Sequence, residues 1–463
     1  MRKNIDMLND RLGPSIIRYT IPIILTSLLQ LLFNAADLVI VGRFCGSICV
    51  AAVSSTGAII NLIVNLFIGL SVGASVAVAH SLGGKDDEET HRTVHTALAA
   101  ALVGGAILTV VGVVFSEKFL ILMKTPENVL PLSSLYMRIY FSGMIFSMVY
   151  NFCASILRAA GDSKSPLYFL TLAGVANVLL NVIFVTVFHM NVDGVALATT
   201  ISQGISAVLV TIALMKRTDA CRLMLKKIRF YKKQLQKIIR IGLPAGIQGS
   251  MFSISNVIIQ SSINSFNSEI ILSGNGAASN LEGFIFVIMN SFHQSAVNYT
   301  GQNAGAHLFD RIKTIYKTCL GFVTIASLVS SLSFWFFGRQ LLSIYITDSQ
   351  EAIEYGMIRM TYIMIPYFIC GLMDVSTGAL RGLGSSFVPM VITVLGVCGI
   401  RILWIYTVFQ IPQYHTPECL YVSYVISWSI TFIAQTIAYL LVYKKKANAD
   451  PQWLAQQSAR RTI

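Results

Sequence analysis

Charge is scarce in this sequence. Only 12% of the 463 residues are Asp, Glu, Lys or Arg, whereas 55% are hydrophobic. A soluble protein carries about 25% charged residues, and a chain with half that share cannot cover a surface that faces water. The composition therefore excludes a soluble globular protein and indicates an integral membrane protein.

Several motifs of enzymes and of metal sites are also missing. The eight cysteines form no C-x-x-C pair, and both a zinc site and a disulfide framework need tighter clustering. There is no P-loop motif G-x-x-x-x-G-K-[ST]. No nucleophile with a base and no carboxylate dyad stand at a useful spacing. We therefore predict a protein that is not an enzyme and has no cofactor and no metal.

The net charge of +13 does not indicate nucleic-acid binding. The basic residues lie in short segments between apolar runs, and they are not interleaved with aromatic residues that could stack on bases. This pattern is typical of loops on the cytoplasmic side of a membrane. We predict the lipid bilayer, and no nucleic acid, as the partner of the chain.

Long apolar runs recur along the whole chain. A helix needs about 20 mostly apolar residues to cross a bilayer, and lipid offers no partner to the backbone groups of an open strand. The sequence therefore predicts an all-α integral membrane protein with twelve transmembrane helices, at 16–42, 50–80, 93–115, 133–157, 166–188, 193–215, 238–264, 273–303, 314–337, 357–380, 389–409 and 420–443.

Lys and Arg set the predicted orientation. With the N-terminus inside, the inner segments hold 27 of the 34 basic residues, and Arg401 lies within a span. Six basic residues are predicted outside, namely Arg43, Lys118, Lys124, Arg138, Arg339 and Arg359. This bias predicts both termini in the cytoplasm and a location in the inner (cytoplasmic) membrane. The basic loop 216–237, whose one acid is Asp219, is expected to anchor at the inner leaflet.

The two halves of the chain resemble each other. Ile16-Ile17-Arg18 and Pro22 recur in the second half as Ile238-Ile239-Arg240 and Pro244, and Gly83 recurs at the same offset as Gly305. Leu157-Arg158, Gly161 and Pro166 recur as Leu380-Arg381, Gly384 and Pro389, at an offset greater by one. Six helices per repeat predict two lobes related by a pseudo-twofold axis along the membrane normal. We predict an N-lobe at 1–215, the basic loop at 216–237, a C-lobe at 238–446 and a cytoplasmic tail at 447–463.

The chain resembles the multidrug and toxic compound extrusion (MATE) family over nearly its whole length. The resemblance rests on Asp37 and Gly42 at the end of span one, the L-R-x-x-G ends of spans four and ten, Asn177 and Asn181, and the run Gly194-Val195-Ala196-Leu197-Ala198-Thr199. It implies a secondary active exporter driven by Na⁺ or H⁺. It also implies that Asp37, Asn177, Asn181 and Thr199 form an ion or proton site in the N-lobe.

The residues of the first lobe support part of this expectation independently. Gln30, Asn34 and Asp37 are spaced i, i+4, i+7 and share one helix face, which is expected to face a cavity or a partner. The alternative is that Asp37 approaches the outer interface near Arg43 and is solvated there. In the predicted topology Asp37, Asn181 and Thr199 lie at the same depth. Some family members carry Asp where this chain has Asn181, so the choice of ion stays open. Interhelical hydrogen bonding is the alternative role of the asparagines.

Ionisable residues within the second lobe are further candidates, because charge inside a membrane is costly. Glu282 shares a face with Met289 and His293 in span eight, and Asp374 lies in span ten. These residues are predicted to line the substrate cavity or to form a second cation site. The alternatives are an ion pair of either acid with Arg401, or solvation in a wet cleft.

The sequence leads to two hypotheses for function. The first is cation-coupled antiport of small lipophilic organic compounds, which we expect to be cationic because three span acids, Asp37, Glu282 and Asp374, face one span base, Arg401. The alternative is a flippase for lipid-linked precursors from the same superfamily, which would have a basic cavity. Neither hypothesis requires an oligomer.

Overall fold

The computed structural model describes residues 5–347 and 349–454, and within them the regular secondary structure is helical throughout. Sixteen α-helices occur in this part of the chain: α1 Leu12–Phe44, α2 Ser47–Gly83, α3 Asp87–Leu122, α4 Leu130–Ser142, α5 Met144–Ala159, α6 Lys164–Thr186, α7 Val192–Met215, α8 Lys232–Asn264, α9 Glu269–Gly305, α10 Phe309–Phe336, α11 Gly338–Tyr345, α12 Gln350–Arg359, α13 Phe368–Gly382, α14 Phe387–Thr393, α15 Ile400–Tyr406 and α16 Pro417–Asn448.

These helices combine into twelve long segments at the predicted positions. Helices α4 and α5 form one segment with a bend of 47°. A π-helical turn, Met360–Met364, joins α12 to α13, and a second one, Val394–Gly399, joins α14 to α15. Nine segments are long and apolar enough to span a membrane, and the bent pair is a tenth. The remaining two, α8 and α9, have 33 and 37 residues and are more polar.

Local signals explain where several helices begin. The Asp86 side chain accepts a hydrogen bond of 2.8 Å from the backbone N–H of Glu89, and three further acids occupy the first turn of α3. Carboxylates are favourable there because they satisfy free N–H groups at the positive end of the helix. Helix α16 begins with the Thr416 cap followed by Pro417, a residue suited to the first helical position.

The repeat found in the sequence is also present in the backbone. Helices α2 and α9 are equal in length, and the offset between their first residues equals that between their last residues, Gly83 and Gly305. Gly161 and Gly384 both adopt a left-handed conformation, with φ of 83° and 79°. Only glycine adopts this conformation without a steric cost. The same turn therefore follows the L-R-x-x-G motif in both halves.

The chain divides into two compact units. Unit 1 holds the residues up to Asp6 together with Ile21–Ser250, and unit 2 holds Met7–Thr20 together with the residues from Met251 onward. Helices α1 and α8 each contribute to both units. The predicted lobe boundaries at 215 and 238 stay predictions, and part of the predicted tail, 455–463, lies outside the described residues.

The basic loop 216–237 is held against α3 within unit 1. The backbone N–H of Met224 donates to Nε2 of His95 at 3.0 Å, and the N–H of Tyr231 donates to the Thr96 hydroxyl at 3.2 Å. Burial alone would raise the pKa of Asp219, but hydrogen bonds from the Arg217 guanidinium hold this pKa below its ordinary value. The loop is therefore an ordered part of unit 1.

Helices α2 and α8 approach closely within unit 1 through facing glycines. A Cβ atom at Gly69 would lie 2.1 Å from the backbone N of Gly246, and one at Gly246 would lie 2.2 Å from the carbonyl oxygen of Leu66. Gly73 and Gly242 meet in the same way one turn along. Small residues four apart let the backbones of membrane helices touch and gain van der Waals contact.

This close approach predicts that Gly246→Ala destabilises the protein. The added methyl overlaps the backbone of α2, and overpacking of this kind costs about 1–3 kcal/mol. Gly321→Ala in α10 is the matched control, because a Cβ atom there meets no atom within 4 Å. Chemical denaturation of both variants in detergent measures the difference, and equal stability of the two proteins would contradict the packing described.

Candidate functional site

Four polar side chains from three helices of unit 1 form a connected cluster, the Asp37 cluster. Nδ2 of Asn181 donates to Asp37 Oδ1 at 2.5 Å and to Asn177 Oδ1 at 3.3 Å. Nδ2 of Asn177 donates to the Thr199 hydroxyl at 3.4 Å. The structure therefore brings together the four residues that the resemblance assigned to one site.

Helix geometry explains how these groups meet. Asn177 and Asn181 are one turn apart on α6 and point to the same side. Both are buried, with exposed fractions of 4% and 0%. The Thr199 hydroxyl also donates to the Val195 carbonyl at 3.0 Å, which fixes its orientation on α7. Polar side chains so enclosed are held in place by their hydrogen bonds.

The charge of the Asp37 cluster is not compensated by a base. Among the residues that the structure describes, no Lys, Arg or His forms an ion pair with the Asp37 carboxylate. The Oδ1 atom of Asn181 is buried, and it has no hydrogen-bond donor within the same part of the chain. The Asp37 cluster thus contains a carboxylate without a basic partner and an amide oxygen without a donor.

Two tyrosines of α4 complete the surroundings of Asp37. Tyr136 and Tyr140 stack with their ring centroids 6.1 Å apart, and both interact electrostatically with Asp37. Neither tyrosine was predicted from the sequence as part of the site. Their spacing of one helical turn near the start of span four is the signal that could have identified them.

Gln30 and Asn34 lie on the same face of α1 as Asp37 but outside the cluster. Both side chains are exposed in the structure. The predicted polar stripe therefore exists on the helix, although only its last member contacts the asparagines.

In unit 2, Glu282 forms an ion pair that the sequence analysis did not predict. Nε and Nη2 of Arg359 donate to its two carboxylate oxygens at 2.7 and 2.8 Å. Arg359 is only 5% exposed and lies at the end of α12, within the predicted span 357–380. Its place on the outer side stays a prediction, and its pairing with Glu282 was not predicted. The alternative of a Glu282–Arg401 pair is wrong, because Glu282 pairs with Arg359.

The ion pair is embedded in polar and aromatic groups. Nη1 of Arg359 donates to Asn275 Oδ1 at 2.6 Å, and the Tyr421 hydroxyl donates to the same oxygen at 3.1 Å. The rings of Tyr421 and Tyr424 lie 5.5 and 5.9 Å from the guanidinium carbon. Tyr421, Tyr424 and Trp428 share one face of α16, and this aromatic stripe is the signal that could have revealed the site.

The other candidates of unit 2 lie in different places. Nδ1 of His293 contacts the carbonyl oxygen of Asp374 at 2.7 Å, and its Nε2 contacts Nη1 of Arg381 at 3.3 Å. Asp374 forms no ion pair with Arg401 or with another base among the described residues, so the alternative of an Asp374–Arg401 pair is absent from this part of the chain. Met289 is fully buried in the core of unit 2.

Arg401 lies apart from both acids. Its Nε donates to the Ser427 hydroxyl at 3.0 Å, and its guanidinium carbon lies 4.0 Å from the ring centroid of Tyr424. No set of three His, Cys, Asp or Glu side chains in the described part of the chain is arranged to hold a metal ion. Unit 1 thus has an acid without a basic partner, and unit 2 has the buried Glu282–Arg359 pair together with the buried arginines Arg381 and Arg401.

Twelve helical segments in two repeats, with polar clusters buried within each unit, are the architecture of a membrane transporter. The MatE family model matches residues 22–183 and again 244–407, once in each repeat. The chain therefore belongs to the MatE family of multidrug efflux transporters, and the fold class predicted from the sequence is confirmed.

Relatives from two bacteria align with most of the chain. The probable multidrug resistance protein YoeA of Bacillus subtilis (strain 168) is 28% identical over 438 residues, which cover 92% of this chain and 93% of YoeA. YpnP of the same organism, also a probable multidrug resistance protein, is 28% identical over 82% of this chain and 84% of its own. The multidrug export protein MepA of Staphylococcus aureus (strain MRSA252) is 21% identical over 84% of this chain and 86% of its own.

Solved structures share the fold at low identity. A MATE transporter in complex with MaL6 superimposes with a TM-score of 0.89 at 19% identity, covering 97% of this chain and 100% of that one. A multidrug resistance MATE family transporter in an outward-facing conformation gives 0.88 at 19% identity, covering 97% and 99%.

The buried ion pair predicts that Glu282→Gln destabilises the protein. The substitution leaves the Arg359 guanidinium buried without a counter-charge, which costs about 3–5 kcal/mol. Replacing both residues by Met removes both charges and is expected to restore most of the lost stability. Chemical denaturation in detergent measures the free energy of unfolding of each variant.

Glu354→Gln is the matched control, because Glu354 pairs with Arg339 at an exposed position. Exposed pairs contribute about 0–1 kcal/mol. If Glu282→Gln cost no more than this control, the ion pair would not stabilise unit 2, and Glu282 would return as a candidate for contact with cargo.

Proposed function

We propose that this protein is a secondary active exporter that couples the inward flow of Na⁺ or H⁺ to the outward movement of lipophilic organic compounds. The single observation that carries the proposal is the Asp37 cluster. An acid with no basic partner inside a membrane helix is costly, and its charge is neutralised when it binds a proton or a metal cation.

The geometry of the cluster supports a coupling role for Asp37, Asn177, Asn181 and Thr199. The free Oδ1 of Asn181 and the Asp37 carboxylate are oxygen ligands, which hard cations prefer. A proton on Asp37 would instead need one acceptor, and the same amide oxygen can provide it. Both Na⁺ and H⁺ therefore fit this set of side chains.

The coupling follows from a difference in affinity between two states. An ion drives transport only if it binds more strongly when the site is open to one side of the membrane than when it is open to the other. We propose that the transporter exposes its sites to each side in turn, that the ion enters from outside, and that the cargo leaves as the cycle is completed. A single chain suffices for this cycle.

The cargo is proposed to be small, lipophilic and cationic. The sequence predicted a cationic cargo from three acids within the spans. Glu282 no longer supports this prediction, because Arg359 neutralises its charge. Asp374 forms no ion pair among the described residues and continues to favour cations. Asp37, beside the aromatic rings of Tyr136 and Tyr140, is the other acid that does so.

We expect Asp37→Asn to abolish the coupling of export to the ion gradient. The isosteric amide keeps the shape of the side chain but carries no charge that an ion could neutralise. Gradient-driven export of a fluorescent organic cation from proteoliposomes should fall by roughly tenfold or more, the change that about 1.4 kcal/mol produces. Separate Na⁺ and H⁺ gradients identify the ion.

Asp87→Asn is the matched control, because this exposed acid lies in the first turn of α3, away from the Asp37 cluster. Its export rate is expected to equal that of the wild type. An Asp37→Asn protein that exports at the wild-type rate under the same gradient would exclude Asp37 from coupling.

We also propose that the protein lies in the cytoplasmic membrane with both termini and the basic loop inside, as the distribution of Lys and Arg predicts. Leu225 and Phe230 are exposed between basic residues of the loop. This alternation of apolar and basic side chains supports contact with an anionic lipid surface.

The orientation predicts where introduced cysteines react. Lys226→Cys, in the basic loop, should be labelled by an impermeant maleimide only in inverted vesicles, and Lys124→Cys, between α3 and α4, only in intact cells. Both lysines are exposed, whereas the native Cys221 of the loop is buried and is no reporter. Labelling of Lys226→Cys in intact cells would reverse the whole topology.

One observation favours the alternative function, a flippase for lipid-linked precursors. Arg359 and Arg401 outnumber Glu282 in the part of unit 2 around Tyr424, and net positive charge there suits a phosphorylated headgroup. Transfer of a lipid-linked phosphate across proteoliposomes, without any export of dye, would favour the flippase over the exporter.

A further inference from the structure

Arg401 is a buried cation whose charge no acid of the described structure balances. It is 3% exposed, and its one hydrogen bond within residues 5–347 and 349–454 is the bond from Nε to Ser427. The guanidinium lies over the ring of Tyr424, at 4.0 Å, and near that of Trp428, at 5.5 Å. The N–H groups of the two terminal Nη atoms therefore have no acceptor within the described residues.

The two other acids that the sequence places within spans of unit 2 do not pair with Arg401. Both oxygens of Glu282 accept hydrogen bonds from Arg359. Asp374 forms no ion pair with Arg401 among the residues that the structure describes. Cation–π contacts return only part of what it costs to remove a guanidinium from water. A counter-charge from outside the chain would supply the remainder.

An irregular helical turn precedes Arg401 in the chain. This π-helical turn, Val394–Gly399, ends two residues before Arg401, and the aromatic residues Tyr424 and Trp428 are one turn apart on α16. Turns of this kind inside α-helices occur frequently at functional sites. The counterpart of this turn in the first repeat, at 171–175, lies in the uninterrupted helix α6, so the irregular turn is particular to the second repeat.

The position of Arg401 matches that of the Asp37 cluster in the other repeat. Asn177 precedes the end of the first family match, at 183, by the same distance along the chain as Arg401 precedes the end of the second match, at 407. Thr199 is the eighth residue of α7, and Tyr424 is the eighth residue of α16. At equivalent positions, the first repeat therefore has amide and hydroxyl groups next to an acid, whereas the second repeat has a positively charged guanidinium next to an aromatic ring.

We propose that Arg401, framed by Ser427, Tyr424 and Trp428, is a binding site for the oxyanion of an organic ligand, a carboxylate or a phosphate. The free Nη groups form the planar fork that such oxygens bind in a bidentate manner. The inference deepens and rests on the proposed export function, because it adds anionic and zwitterionic compounds to the cargo.

The test compares two probes that differ only in charge. Coumarin-3-carboxylate and the neutral coumarin-3-carboxamide are titrated onto the purified protein in phosphatidylcholine nanodiscs, with empty nanodiscs as the blank. Charge-assisted hydrogen bonds to Arg401 should make the wild-type protein bind the carboxylate about tenfold more tightly than the amide, or more. In Arg401→Gln this preference should disappear.

Arg339→Gln is the matched control, because it removes the same guanidinium from an exposed position. It should keep the full preference for the carboxylate. Arg401→Lys keeps the charge but loses the planar fork, so its preference should be intermediate, and it serves if Arg401→Gln does not fold. A wild-type protein without the preference, or an Arg401→Gln protein that retains it, would overturn the proposal.

The source of the oxyanion is decided by changing the lipid. If a phospholipid headgroup occupies the site, phosphatidylglycerol nanodiscs should weaken carboxylate binding to the wild type but not to Arg401→Gln. If the lipid has no such selective effect, the ligand is a soluble organic anion. The assay measures binding and not transport. A protein with the preference but no ion-driven export would therefore overturn the exporter and leave the anion site standing.

Discussion

The cost of placing charge inside a membrane governs how the side chains of this protein are arranged. Each ionisable group within the long helices meets that cost differently. Glu282 and Arg359 neutralise each other through two hydrogen bonds. Arg359 also donates to Asn275 Oδ1, which accepts a second hydrogen bond from the Tyr421 hydroxyl. Asp37 is surrounded by amides and hydroxyls without a base. The first arrangement is expected to be permanent, because its groups satisfy one another. The second is incomplete without a mobile charge, and this is the property that a coupling site requires.

Tight helix packing supplies the rigidity that these arrangements need. The glycines of α2 and α8 bring two backbones into contact, and hydrogen bonds between polar side chains join α1, α6 and α7. Lipid provides no hydrophobic force between helices, so small residues and internal hydrogen bonds have to hold the fold together. The residues that stabilise each unit are therefore often the same kinds of residue that line its polar clusters.

The sequence predicted the helices well because length and hydropathy are local properties. It also predicted that Asp37, Asn181 and Thr199 would meet, because the direction of each span fixes the depth of its residues. The pairing of Arg359 was missed for a physical reason. Its partner Glu282 lies on another helix, far away in the sequence, and a single sequence does not show which distant side chains meet. Arg401 was identified as the base within a span. Its aromatic surroundings depend on which side of α16 is turned toward α15, and a single sequence does not define this rotation. The roles of all these residues stay predictions.

The two π-helical turns bear on how the second repeat diverged from the first. The offset between corresponding residues grows by one from the pair Gly83 and Gly305 to the pair Leu157 and Leu380, and by one more at the ends of the family matches, 183 and 407. Met360–Met364 lies within the first of these steps, and Val394–Gly399 lies within the second. A π-turn takes up one additional residue without changing the direction of the helix after it. In a regular α-helix the same insertion would rotate every later side chain by about 100°. The turn before Arg401 thus lets the chain grow by one residue while the guanidinium keeps facing Tyr424.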